Sequence, residues 1–157
     1  MKLLIQRVAS ARAATIALPN SYIANIGKGM LVLVGIGPTD SEATVDFMLG
    51  KLKGLRIFSD PEGKMNLCAR DAGAEFLFVS QFTLFADCRK GTRPSFTGAA
   101  PRDLATRCYE YLTRQAPGIL EGTRVSHTPF GSDLHLELVN EGPVTLQLDS
   151  DALHHVI

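Results

Sequence analysis

The sequence predicts a mixed α/β fold of the α+β type: a single domain over residues 1–157, richer in strand than in helix, with two main helices. Three observations carry this. Met30 to Ile36 (MLVLVGI) and Glu75 to Leu84 (EFLFVSQFTL) are apolar runs of the kind found in strands buried on both faces. Leu134, Leu136 and Leu138 alternate with His135, Glu137 and Val139, at the two-residue period of a strand. Val45, Met48, Leu49 and Leu52, and again Leu104, Ala105, Cys108 and Leu112, fall at helical spacing instead.

In chain order, Lys2 to Val8 reads as a first strand. A hairpin region follows, broken at Leu18-Pro19-Asn20. The Met30–Ile36 strand ends at Gly37-Pro38. Thr39 or Asp40 can cap the first helix, and Gly54 marks its stop. Arg56 to Ser59 reads as a short strand, and Asp60-Pro61-Glu62-Gly63 has turn chemistry. The Glu75–Leu84 strand runs into a polar loop from Ala86 to Ser95. Pro101 fits the first turn of the second helix, which Pro117-Gly118 end. Glu141-Gly142-Pro143 break the strand that starts at Leu134, and it resumes from Val144 to Leu148. Residues 149–157 read as a flexible tail.

A chain of 157 residues is long enough to bury a core, and 45% apolar with 20% charged residues is ordinary for a globular protein. The formal net charge is zero, which argues against a generic basic nucleic-acid coat protein; any RNA contact must come from a local patch. Cys68, Cys88 and Cys108 are odd in number, widely spaced and without a CxxC, so a disulfide framework or zinc site is not expected. A reducing compartment, the cytoplasm, fits better. The N-terminal apolar run stops at Gln6-Arg7, too short for a signal peptide, and no run approaches the ~20 residues needed to cross a membrane.

Common motifs are missing. There is no GxGxxG, no GxxxxGK[ST], no HExxH and no metal-spaced His/Cys set, so neither a cofactor nor a metal is expected. His135 falls on the outward face of a strand and His154 and His155 in the tail, which leaves a hydrolase with no evident acid–base pair.

Three segments stand out. Ser80, Gln81 and Thr83 put polar groups at the end of a very apolar strand, where burial without partners costs a few kcal/mol each. They are either satisfied at a strand terminus or face a cleft. Arg89, Lys90 and Arg93 cluster in the following loop and can neutralise phosphates, although a solvated basic loop is the plainer reading. Gly142-Pro143 interrupts a strand. A trans turn is the default there, since only ~5% of X-Pro bonds in folded proteins are cis.

In this order and spacing the segments resemble the D-aminoacyl-tRNA deacylase family, over nearly the whole chain. The resemblance rests on Gln6-Arg7-Val8, Gly29 to Gly35, Arg56-Ile57-Phe58-Ser59-Asp60 with Gly63-Lys64-Met65-Asn66, and Ser80-Gln81-Phe82-Thr83-Leu84. It continues through Ala86-Asp87, Lys90-Gly91, Arg93-Pro94-Ser95-Phe96 and Phe130-Gly131, and closes with Asn140 to Thr145. It implies a layered β/β/α domain with a mostly antiparallel, strand-rich core. It also implies a homodimer with active sites at the interface, and an ester hydrolase that removes D-amino acids from tRNA. On that resemblance Gly142-Pro143 is cis and enters the partner's pocket, holding the substrate α-amino group and excluding an L side chain. Ser80, Gln81, Phe82 and Thr83 line the pocket, with Ala105 and Phe130 nearby, and Arg7 braces the Gly-Pro loop. Gln81, Phe82 and Thr83 are the catalytic candidates. Backbone donors near Phe82 and Thr83 polarise the ester carbonyl, while Thr83 and Gln81 shape the site. Arg89, Lys90 and Arg93 are the candidate tRNA contacts.

Such a filter implies broad scope for D residues and some cleavage of glycyl-tRNA. The nearest alternative is the sister deacylase that removes L-alanine from a non-cognate tRNA, with a trans Gly-Pro bond and a more open pocket. The sequence Gly142-Pro143-Val144-Thr145 favours the D-specific type. A non-catalytic nucleic-acid-binding module is the alternative from another class.

Overall fold

The computed structural model describes residues 1–19 and 21–153. Asn20, placed in the hairpin break, and His154 and His155, placed in the tail, lie outside the described residues. The fold is a mixed α+β domain built on one six-stranded sheet.

Strand β1 (Lys2–Thr15) runs well past Val8, where a shorter strand was expected. It extends because it is paired along its whole length. Lys2 to Val8 pair antiparallel with β3 (Gly29–Gly35), and Ala11 to Ala14 pair antiparallel with β2 (Tyr22–Ile26). β3 also lies parallel to β6 (Glu75–Ser80), so it is flanked on both sides and buried on both faces, as its apolar run predicts.

Side-chain alternation divides the core. Met30, Val32, Val34, Phe76 and Phe78 face one way, into the cluster that holds the helices. Leu31, Leu77 and Val79 face the other way, against Val8, Ala11 and the β2 residues Ala24 and Ile26. The second half of β1 and β2 thus cover the sheet face opposite the helices, which gives the layered order.

Helix α1 (Glu42–Gly54) buries Val45, Met48, Leu49 and Leu52. Its N-cap is Ser41, not Thr39 or Asp40: Thr44 N donates to Ser41 Oγ and Ser41 N to Thr44 Oγ1. Asp40 is occupied elsewhere, accepting from Gly37 N at 2.6 Å and from the buried N-terminal ammonium of Met1 at 2.6 Å. A small hairpin of β4 (Phe58–Ser59) and β5 (Met65–Leu67) follows, turned around Asp60.

β6 stops at Ser80, four residues before the end expected for it, and Phe82–Phe85 form a 3-10 turn. The turn folds back over two glycines. A Cβ on Gly35 would stand 3.0 Å from Leu84 Cβ, and one on Gly37 3.1 Å from the Phe85 ring, so a side chain at either position would push the turn back by a few tenths of an ångström, and glycine lets it pack close. Helix α2 (Arg102–Ile119) buries Ala105, Cys108, Tyr109, Leu112 and Ala116, and continues through Pro117 rather than ending there. In the last turn that proline removes one helical hydrogen bond and the chain carries on.

β7 (Val125–His127), not foreseen from sequence, adds parallel to β6. The last strand, β8 (Leu134–Asp149), pairs antiparallel with β1 almost end to end. Glu141-Gly142-Pro143 do not end it. Opposite Arg7 the register jumps from Gln6↔Thr145 to Val8↔Asn140, so residues 141–144 leave the ladder as a loop and the strand resumes. Within the segment read as a tail, Ser150–Leu153 form a helical turn (α3). Ser150 is buried, donates its backbone N–H to Met1 O, and accepts from the Met1 ammonium at 2.6 Å. Among the described residues no helix is long and apolar enough to cross a membrane.

Candidate active site

The C-terminal end of β6 opens into a cleft of about 320 Å³. Val79, Leu134 and Leu136 give it apolar walls, and Ser80, Gln81, Phe82 and Phe130 stand around it. Each is placed by a local cause. Gln81 N donates to Val34 O at 2.7 Å, the last bond that ties this segment to β3. Ser80 Oγ accepts from Gly131 N at 3.0 Å and so fastens the Phe130–Asp133 turn to the strand end. Gly131 takes the positive φ (67°) that this turn needs. Phe130 packs on the buried Tyr109 ring, centroids 5.7 Å apart.

Beyond Ser80 the chemistry lies in the 3-10 turn. Gln81 stands at its N-cap, and its side chain accepts no capping bond from the amides of the turn. The first amides of a helix have no partner inside it, so Phe82 N–H and Thr83 N–H point out of the turn as available donors. Gln81 Nε2 donates to Thr83 Oγ1 in a short contact, which engages the hydroxyl oxygen as an acceptor. No base contacts that hydroxyl among the described residues. Phe82 lines the cleft, whereas Thr83, expected to line it, is exposed and is not among its lining residues; two adjacent amide donors at the start of such a turn are suited to hold a developing oxyanion.

Ala105 sits in the helical core, 9% exposed, and does not line the cleft. Ile16, Ser132 and Asp133 line it and were not foreseen. Ile16 belongs to the hairpin turn and is brought in by a hydrogen bond from its N–H to Asp133 O, a contact between distant segments that no local pattern announces.

Gly142 and Pro143 are exposed and are not among the residues that line the cleft of their own chain. Their peptide bond is cis. The loop is held from two sides. Arg7 Nε donates to Glu141 O at 3.0 Å and Arg7 Nη1 to Ile57 O at 2.6 Å. Asn140 works from within: Oδ1 accepts from Val144 N at 3.0 Å, and Nδ2 donates to Val144 O at 3.2 Å. Arg7 was expected in this bracing role; Asn140 was not singled out. Its signal was its place one residue before an expected strand break, where Asn can bond the backbone of the far side.

The three cations of the polar loop differ. Arg89 is paired with Asp87, Nη2 to Oδ2 at 2.7 Å, and this contact holds the Asp87 carboxyl below its ordinary range. Lys90 and Arg93 are exposed and, among the described residues, form no ion pair. Two backbone bonds between Asp87 and Ser95, at 2.7 and 2.9 Å, close the base of this loop. The described residues contain no group of three or more His, Cys, Asp or Glu side chains that could hold a metal ion. His127 and His135 are both exposed and lie outside the cleft lining.

A family model described as D-Tyr-tRNA(Tyr) deacylase matches residues 4–149. Among solved structures, the c-Myc DNA Unwinding Element Binding Protein is similar at 33% sequence identity and a TM-score of 0.86, over 95% of this chain and 98% of that one. A "probable eukaryotic D-amino acid tRNA deacylase" is similar at 18% identity and a TM-score of 0.80, over 94% of this chain and 98% of that one. At that lower identity the likeness speaks to the fold.

Proposed function

The chain belongs to the D-Tyr-tRNA(Tyr) deacylase family, and on that premise we propose that it hydrolyses the ester joining a D-amino acid to the 3′ end of tRNA, as a cytoplasmic proofreader of translation. One observation carries the chemistry: the cleft at the end of β6 is lined by Gln81 and Phe82, where the 3-10 turn Phe82–Phe85 begins, and the first amides of that turn, Phe82 N–H and Thr83 N–H, have no partner inside it. The ester carbonyl oxygen lies against these donors. Water attacks the carbonyl carbon, and the oxygen that becomes negative is stabilised by the amides. Collapse breaks the ester bond and returns a hydroxyl to the terminal ribose and a free D-amino acid. The ribose 2′-hydroxyl helps activate the water, in place of a protein base. Gln81 and Thr83 shape the pocket, and no cofactor takes part.

The chiral filter in this reading is the Gly142-Pro143 loop of a second copy, which enters the cleft in a homodimer. Support comes from the loop itself. It projects from β8, it is braced by Arg7 and Asn140, and it does not serve the cleft of its own chain. A rigid wall that meets an L side chain rejects it without tailoring a pocket to each D side chain. Glycine has nothing to clash, so glycyl-tRNA is cleaved too. A deacylation time course on D-tyrosyl-tRNA and glycyl-tRNA in EDTA tests this. Loss of both esters at rates indifferent to the chelator is expected; absence of turnover, or turnover abolished by EDTA, contradicts it.

A second reading is favoured by Lys90 and Arg93, which form no ion pair among the described residues, and by the name of the 33%-identical structure: a module that binds nucleic acid without chemistry. It predicts binding that weakens steeply with salt and no ester turnover.

A further inference from the structure

Of the eight phenylalanines, Phe82 and Phe96 alone are exposed, at 58% and 38%. They touch each other edge to face, with ring centroids 5.1 Å apart and planes 70° apart. An edge-to-face pair leaves ring surface free on both partners, and here that surface faces solvent. The pair occupies a defined position. Phe82 lines the cleft. Phe96 follows Ser95, whose two backbone bonds to Asp87 fix the base of the loop that carries Lys90 and Arg93. The order along the surface is therefore cleft, aromatic pair, unpaired cations.

Exposed ring faces beside cations are what a single-stranded nucleic acid groove requires, because every base has a face to stack and every nucleotide a phosphate to neutralise. We propose that Phe82 and Phe96 form a stacking platform for an unpaired base upstream of the terminal nucleotide whose ester enters the cleft, with Lys90 and Arg93 on the adjoining phosphates. This rests on the deacylase reading above. Arg89 contributes less, since Asp87 already holds its guanidinium.

The test compares two substrates on the full-length protein: D-tyrosyl-tRNA, and D-tyrosyl-adenosine, which carries the reacting ester and no upstream nucleotide. Phe96→Ala is expected to raise KM for D-tyrosyl-tRNA about tenfold, the loss of one base stack, with kcat unchanged. The same variant should treat D-tyrosyl-adenosine as the wild type does. Phe96→Trp, which keeps a stacking face, should restore the wild-type KM for tRNA. Equal losses on both substrates, or no loss on tRNA, overturn the platform. So does a change of oligomeric state in Phe96→Ala on size-exclusion chromatography, which would make the ring part of a protein interface. A wild-type protein that cleaves neither substrate overturns the deacylase reading, and the platform with it.

Discussion

At the scale of the residue, Thr83 and Gly142 separate two kinds of contribution. The Thr83 hydroxyl accepts from Gln81 and, among the described residues, has no base beside it, so it lacks there what a threonine nucleophile needs. Thr83→Ala should lower kcat by less than the ~100-fold that loss of an acid–base partner costs, measured with D-tyrosyl-tRNA in single turnover. Abolished turnover with binding intact would make Thr83 the nucleophile. Gly142 has a φ of +132°, and a Cβ there would stand 2.7 Å from Val144 Cγ2 and 2.9 Å from Arg7 Nη2. Gly142→Ala must therefore shift the loop. Turnover should fall about 100-fold, as for a misplaced positioning group, while the melting temperature changes little, because the loop already stands outside the sheet. Cleft-lining residues grouped in one sequence segment, such as Ser80 to Phe82, were legible as neighbours. Ile16 and Asp133 were not, because two remote turns bring them to the cleft.

At the scale of the element, Tyr109 fastens α2 to the sheet. Its buried hydroxyl lies 3.0 Å from both Phe78 O and Thr128 O, and burial pushes its pKa up to about 12 from an ordinary 10.0. The neutral phenol is the form the fold favours. Its contribution is therefore complete below pH 10 and is lost as the pH rises from 10 to about 12. Urea unfolding should show the wild type losing on the order of 2 kcal/mol more than Tyr109→Phe across that range. Near pH 8 the variant should be about 1 kcal/mol less stable than the wild type. Equal alkaline losses in the two proteins would contradict this. Elements with a long or regular signal were legible, α1 and β3 above all. The expected Glu75–Leu84 strand runs into the 3-10 turn at Phe82–Phe85 because a short apolar run has no period to tell the two apart, and the turn packs closely over the remote Gly35 and Gly37. The three-residue β7 was missed because a strand that short is defined by its neighbour β6 rather than by its own sequence.

At the scale of the whole molecule, the two ends of the described chain meet at one buried ammonium, that of Met1, which is also paired with Asp40. The Met1 ammonium lies 2.6 Å from Asp40 and 2.6 Å from Ser150 Oγ, with the pair almost wholly shielded from water. Removing one partner leaves the other charge buried, so Asp40→Asn should cost about 3 kcal/mol in denaturant unfolding; an unchanged midpoint would show that the pair contributes nothing. The same packing holds β1 and β8 side by side, and with them the loop from which chirality would be read. The decisive measurement is deacylation of D-tyrosyl-tRNA and L-tyrosyl-tRNA side by side with the purified protein. Rapid loss of the D ester with the L ester intact is the predicted result. Loss of both at similar rates, or of the L ester alone, would contradict the Gly142-Pro143 filter, and loss of neither would leave a nucleic-acid-binding module in its place.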